Sequence, residues 1–453
     1  MDPFELNPVI WQESFNAGYM ASRYAGGGKS RRLGSLWGLI RLSLRSINAW
    51  RKLSVPPAAA DGEIVWIVRT RNQRAAMEPI AAAMGQSEAF EAVVGNYQIS
   101  RYGLRVSVFF LPILTYRWIR ASPRQRRSMR DGIEAYLATY GEYVAARRSF
   151  KRERPAVVVL SNDHVGFYNA IRLAAQHAGI PTVYVQHACV ADYFPPLRHD
   201  YALLDGRDAA EKYLSRSTES TVALIGIAKL DQMVETRRSC GLPLDRAIGI
   251  CFNALDDVEF MVQALLDLRK AFPSRRLIMR LHPATPAAIR NQMEDRASRL
   301  AIETSDARKV DAIEFVCSLA VMVCGASSII LEAAAAGVPS VALFSERASD
   351  VYGFVKAGLC ESVEKSSDLG GAIERAFQWN SDDLRKKVGF YSEGFDQPGH
   401  RPSSQIAAET LRRIVQGVDI GGRTIMIRNH PVRVWSDPPP ALGEKKPTPA
   451  ATA

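Results

Sequence analysis

Two short segments carry the residue types that hold a phosphate. In Leu277-Ile-Met-Arg280-Leu-His282-Pro283 an apolar run passes directly into His-Pro. Proline lacks an N–H and ends a sheet ladder, so the run reads as a strand presenting His282 at its carboxyl end, with Arg280 a strand step away. In an open α/β sheet ligands bind beyond that end, where a histidine can donate to a phosphate oxygen or simply occupy the turn. In Val321-Met-Val-Cys-Gly325-Ala-Ser327-Ser328 a second run meets a glycine turn and two hydroxyls that open a helix. Helix N-termini present unpaired N–H groups and a partial positive charge, which suit a phosphate; Ser327 and Ser328 suit capping that same helix equally well. Glu332 falls one turn further on the same face. A carboxylate at that depth does not attract phosphate, but it can accept hydrogen bonds from ribose hydroxyls or act as a capping-type acid.

A third cluster lies earlier, in Ser161-Asn-Asp163-His164 and Gln186-His187, each following an apolar β-branched run. Asp163, His164 and His187 are candidates for a base that deprotonates an acceptor hydroxyl, because such a base needs a pKa tunable towards neutrality. Each could equally be a hydrogen-bonded loop residue. No Asp-x-Asp is present to chelate a divalent ion, so no metal or other cofactor is expected.

The elements that must position these groups alternate. Strands are expected at 64–69, 156–160 and 182–186, with helices at 73–84 and 166–177. A second series places strands at 247–252, 276–281, 319–324 and 339–344, helices at 257–271 and 328–336, and a closing helix at 403–418. Continuous apolar strands separated by helices indicate parallel sheets covered on both faces. Two such series, joined near 234–244, predict two Rossmann-like domains facing a central cleft. The expected division is a basic amphipathic segment at 1–60, an acceptor domain at 61–240, a donor-nucleotide domain at 241–420 and a tail at 421–453, Pro/Ala-rich and disordered towards its end.

Taken in order, Tyr184-Val-Gln-His-Ala188, Arg280-Leu-His-Pro283, Gly325-Ala-Ser-Ser-Ile-Ile-Leu-Glu332 and Gly337-Val-Pro339 resemble bacterial GT-B transferases of surface polysaccharide assembly. The resemblance is to the CDP-glycerol glycerophosphotransferase and capsule polysaccharide group and, more loosely, to polysialyl- and Kdo-transferases. It covers about residues 155–418. It implies the α/β GT-B fold and a CMP- or CDP-activated donor bound by His282, Ser327 and Ser328; Arg280 and Glu332 join that expected donor site from their positions in the strand and helix above. Arg401 and Ser403 are similar to the Arg-Ser segment opening the family's last helix, which implies a phosphate or acceptor role. The implied acceptor is a glycan or lipid-linked molecule. The chain departs from the family pattern at Ala188, where the group commonly has glycine. It also lacks the family's acidic-acidic-glycine motif: Asp256-Asp257 has no glycine, and Leu204-Asp205-Gly206 has no first acid.

The net charge of +11 is uneven: residues 1–155 hold 24 Lys/Arg against 12 Asp/Glu, and the remainder 34 against 35. Within 29–52, Leu33, Leu36, Trp37, Ile40, Leu44 and Ile47 share one helical face rimmed by arginines. Residues 102–130 repeat the pattern. Such stripes also suit an ordinary core-packing helix with a solvated back. As a binding surface, broad apolar stripes beside basic residues fit an anionic membrane better than nucleic acid, which calls for isolated, interleaved aromatics, and no nucleic-acid partner is expected. No apolar stretch is long enough to span a bilayer and the first residues do not form a secretory signal. The expected location is the cytoplasm, on the inner face of the cell membrane. Two other readings keep the nucleotide site: a UDP-sugar 2-epimerase-like enzyme, and a non-catalytic nucleotide-sugar-binding scaffold of a polysaccharide export complex.

Overall fold

The structure, a computed structural model, describes residues 44, 62–87, 106–131, 133–162, 164–192, 194–216, 218–231, 233, 247–253, 256–344, 349–399 and 401–435. Successive side chains of a strand leave opposite faces of a sheet, and the central strands here are apolar on both. In β1 (Ile64–Ile67), Ile64 and Trp66 bury with Met77 and Ile80, whereas Val65 and Ile67 bury with Tyr143 and Phe167. β2 (Val157–Leu160), β3 (Thr182–Val185), β4 (Tyr201–Leu204) and β5 (Thr221–Leu224) continue the first sheet. The second holds β6 (Ala247–Phe252), β7 (Leu277–Leu281), β8 (Glu303–Asp306), β9 (Leu319–Cys324), β10 (Ser340–Leu343) and β11 (Glu361–Val363). β12 (Arg423–Ile427) and β13 (His430–Val434) return to the first.

Helices cover both faces of both sheets. Around the first lie α1 (Arg71–Ala83), α2 (Leu111–Arg120), α3 (Pro123–Asp131), α4 (Ile133–Arg152), α5 (Gly166–Gln176) and α6 (Arg207–Leu214). Around the second lie α7 (Val258–Ala271), α8 (Ala287–Arg299), α9 (Ala312–Cys317), α10 (Ile329–Ala335), α11 (Leu369–Ala376) and α12 (Ser381–Val388), before α13 (Ser403–Val415).

The first sheet runs β1-β2-β3-β4-β5-β13-β12, all parallel except the last pair. The second runs β11-β10-β9-β6-β7-β8, all parallel. From β6 the chain builds outward through β7 and β8, then crosses to the other side of β6 to lay down β9. That reversal of direction opens a crevice beyond the carboxyl ends of β6 and β9, where ligands bind in sheets of this kind.

The chain changes sheet earlier than position 420. Ile406, Leu411 and Ile414 of α13 share a core with Trp66 and Met77, and β13 pairs with β5. Residues 423–434, expected as tail, are therefore a hairpin of the first sheet. Its tip, Arg428-Asn429, holds φ of 47° and 63°, both positive as a two-residue primed turn requires. On the way back, Asp208 N–H donates to Phe390 O (3.1 Å), and Glu393 N–H to Asp205 O (2.8 Å). Gly206 makes this crossing possible: a Cβ there would stand 2.5 Å from the Tyr391 carbonyl carbon.

The basic segment 1–60 lies outside the described residues except for Leu44, which is helical and exposed. The joining stretch 234–244 and residues 436–453 also lie outside them. Among the described residues, no helix is long and apolar enough to cross a membrane.

Candidate functional site

The carboxyl ends of β7, β6 and β9 lie side by side and deliver His282, Asn253 and Gly325–Ser328 to one edge. His282 stays in register, its N–H donating to Phe252 O at 3.0 Å. Its Nδ1 accepts the Ala284 N–H at 3.1 Å, so in the neutral ring the proton sits on Nε2, which is left to donate. Burial holds the imidazole below its ordinary pKa, which favours that neutral form. Gly325 lets the β9 loop close on the β6 loop, since a Cβ there would stand 2.9 Å from Asn253 Nδ2. Beyond it, Ser328 occupies the N-cap position of α10 without a side-chain capping bond, and Ser327 Oγ makes only a long contact with Ile329 N–H, 3.5 Å.

Arg280 is placed differently from the expectation. It is buried in β7, donating to Ser305 Oγ (3.1 Å) and Val310 O (2.9 Å), with its guanidinium 4.9 Å from the Phe315 ring centroid. A guanidinium so engaged braces the loop after β8. Across the cleft, Arg71 at the start of α1 reaches the same loop at Ala307 O, 3.4 Å.

Glu332 lies in the first turn of α10, buried, and meets Lys229, from the segment that crosses between the sheets, in a short charge-assisted hydrogen bond. The two line one pocket with His187, Cys189, Asp205 and Ser328. Burial alone would pull the Lys229 ammonium down, but Glu332 holds it above its ordinary pKa, so Lys229 is a cation. Burial pushes the Asp205 carboxyl well above the usual range, with Lys229 opposing. The Cys189 thiol, pushed up to about 12 by burial, is not a nucleophile at neutral pH.

Of the expected base candidates, the structure brings His187 to this pocket. His164 is not among the lining residues: its backbone N–H is held by Asn162 Oδ1 at 3.2 Å, and its ring lies 5.1 Å from that of Phe194. Asn162 Oδ1 also accepts Val165 N–H at 2.9 Å, tying the turn into α5. Asp163 lies outside the described residues.

The Arg401–Ser403 segment is tied up from within. Asp231 accepts the N–H groups of Ser403 and Ser404, both at 2.9 Å, and the Ser404 hydroxyl at 2.8 Å. The N-terminus of α13 thus already holds an anion, the protein's own. Ser403 is buried against Gly226, whose φ of +81° and 2.3 Å separation from Ser403 Oγ at the Cβ position admit no side chain. Arg401 is half-buried just ahead of this cap.

Lys229 escapes a reading of motifs because a single lysine in Gly226-Ile-Ala-Lys229-Leu-Asp231 has no distinguishing neighbour spacing. Its role comes from the chain crossing between the sheets at that point. Asp205 was visible only as part of an incomplete acidic motif.

No family model matches the chain, and no curated protein matches it. Among solved structures, the chain is similar to S. aureus MnaA in its UDP co-structure, at a TM-score of 0.51 and 16% identity over 78% of this chain and 97% of that one. It is also similar to UDP-GlcNAc 2-epimerase from Neisseria meningitidis bound to UDP-GlcNAc, at 0.50 and 13% over 78% and 100%. The glycotransferase of kitacinnamycin gives 0.51 and 13% over 79% and 100%. At these identities the likeness is one of fold. The chain has the α/β GT-B fold, two Rossmann-like units whose parallel sheets face a central cleft.

Proposed function

We propose that this protein is a GT-B transferase that moves a glycosyl or glycosylphosphate group from a nucleotide-activated donor, CMP or CDP type favoured, to a glycan or lipid-linked acceptor. The observation that carries the reading is a pocket where the start of α10, just past β9, meets the carboxyl ends of β3, β4 and β5; His282 and Ser327 are not among its lining residues. The pocket brings the uncapped start of α10 and Glu332 together with Lys229 of the crossing segment and His187 of the first sheet's edge. The donor phosphate would accept hydrogen bonds from the α10 N–H groups, from Ser327 and Ser328, and from His282 Nε2. The ribose hydroxyls would donate to Glu332, and Lys229, released from Glu332, would turn to the phosphate.

The donor bond to the nucleotide breaks and its electron pair leaves with the nucleotide oxygen. Stabilising that charge with fixed donors and a cation is the larger part of the work. The acceptor oxygen forms the new bond and gives its proton to His187. Arg280 acts by bracing the loop after β8. A direct test follows nucleotide release from CDP-glycerol and from CMP- and UDP-sugars. His187→Ala should lower turnover by about a hundredfold or more with donor affinity nearly intact. Unchanged turnover would remove His187 as the base.

One observation favours a second reading. Asp205, whose carboxyl pKa burial raises, lies in the same pocket as Glu332, an arrangement of two acids suited to proton removal and return on a UDP-sugar. Incubation with UDP-GlcNAc, followed by NMR of the sugar, separates the two: a C2 epimer without acceptor supports the epimerase reading.

A further inference from the structure

Large apolar side chains exposed among the described residues concentrate in one short stretch. Phe109 (65% exposed), Leu111, Ile113, Tyr116, Trp118 and Ile119 (67%) all lie within eleven consecutive positions. Only Leu114 of α2 is buried. It packs with Phe110 and Ala121 in a small cluster containing Met129, Tyr136 and Leu137. A surface helix ordinarily turns its apolar stripe to the core; α2 is held by one leucine and shows the rest. The presentation is rigid: Arg126 donates to the terminal carbonyls of Trp118 (3.0 Å) and Ile119 (2.9 Å), and the Phe110 and Tyr140 rings stack at 3.9 Å. Along the sequence the charge here has one sign, with eight arginines and no acidic residue from Arg101 to Arg130, ahead of Asp131. The Arg120 guanidinium sits 4.7 Å from the Tyr116 ring centroid.

We propose that α2 and the turn before it form a docking face for an anionic lipid bilayer. Phe109, Leu111 and Ile119 enter the boundary of the acyl chains, Tyr116 and Trp118 lie at headgroup level, and the arginines meet lipid phosphates. Exposed apolar and aromatic tips ringed by charge of one sign are what an interfacial helix needs. None of these residues lines the His187–Glu332 pocket, so this inference stands or falls apart from the proposed reaction.

The test is co-sedimentation of the full chain with vesicles of phosphatidylcholine, alone or mixed with phosphatidylglycerol. Wild type should bind the mixed vesicles and be released by salt. Phe109→Ser/Ile119→Ser should lower partition at least about tenfold, from the apolar area withdrawn, with the melting temperature and nucleotide binding unchanged because both side chains are exposed. Arg117→Gln/Arg120→Gln should reduce the preference for anionic lipid. The proposal is overturned by failure of wild type to sediment or by equal sedimentation of the Ser variant. It is also overturned if that variant changes the oligomeric mass, which would mean a second copy covers the face, or lowers the melting temperature, which would mean another segment of this chain does.

Discussion

Replacing Asp231 with alanine separates a structural helix start from a ligand-binding one. The carboxylate accepts two backbone N–H groups and one hydroxyl at 2.8–2.9 Å from the first turn of α13. Loss of an N-terminal cap costs about 1 kcal/mol and up to about 2, and loss of a negative charge at that end adds about 0.3–1 kcal/mol. Ser403 is buried, so its N–H regains little water, and the total is about 2–3 kcal/mol. At about 1.4 kcal/mol per factor of ten, amide exchange in α13 should accelerate some 30- to 140-fold. The assay is hydrogen exchange read by mass spectrometry on α13 peptides, alongside nucleotide titration. Donor affinity should hold within about threefold, the roughly 0.6 kcal/mol separating it from an ordinary surface substitution. Unchanged exchange in α13 together with a large fall in nucleotide affinity would refute this reasoning and return Arg401–Ser404 to the binding site.

Gly226→Ala should destabilise the protein by about 3 kcal/mol or more. Its backbone is in the left-handed region, and the new methyl would also stand 2.8 Å from Glu393 O; adding Ser403→Ala should recover only part of the melting temperature. Lys212→Met removes the ammonium that ties Asp208 and Val190 O of the first unit to Tyr352 O of the second. Faster exchange at both carbonyl-bearing segments should follow, and unchanged exchange would mean the tether is idle. Burial pushes Glu142 up to about 8 from 4.5, with Arg69 opposing. A raised carboxyl favours the folded state fully below its unfolded pKa and less as pH rises through 8. Glu142→Gln should therefore flatten the loss of urea resistance across that interval; an unaltered pH profile would show that Glu142 is not the group responsible.

Much of the fold was legible because apolar runs are bounded by clear punctuation. β6 and β9 coincide with their expected limits, each a six-residue run buried along nearly its whole length. β8, Glu-Thr-Ser-Asp, is an edge strand with its side chains exposed or half-buried, so no apolar pattern marks it. The β12–β13 hairpin mixes Arg, Thr and His with its apolar positions and turns on Arg-Asn, which carries none of the usual glycine signal. The strand-end placement of His282 and Ser327-Ser328 was legible because His-Pro and Gly-Ala-Ser-Ser announce strand ends; of the three, Ser328 lines the pocket. The Ser403-Ser404 segment was ambiguous for a physical reason: a helix start with hydroxyls looks the same whether the anion its N–H groups and the Ser404 hydroxyl meet is a phosphate or the protein's own Asp231. Lys229 acquires its meaning only from the approach of Glu332, a contact 103 residues away along the chain.

The central claim, a donor nucleotide held between α10 and Lys229, is tested most directly by a thermal-shift titration with CMP, CDP, UMP, UDP, GDP and ADP. Wild type and Glu332→Gln should be run in parallel. A ligand at a hundredfold over its Kd stabilises by about 2.7 kcal/mol. One nucleotide, expected to be a cytidine or uridine phosphate, should raise the wild-type melting temperature, and Glu332→Gln should lose most of that shift. No response to any of the six nucleotides, or an equal response in the variant, would contradict the account.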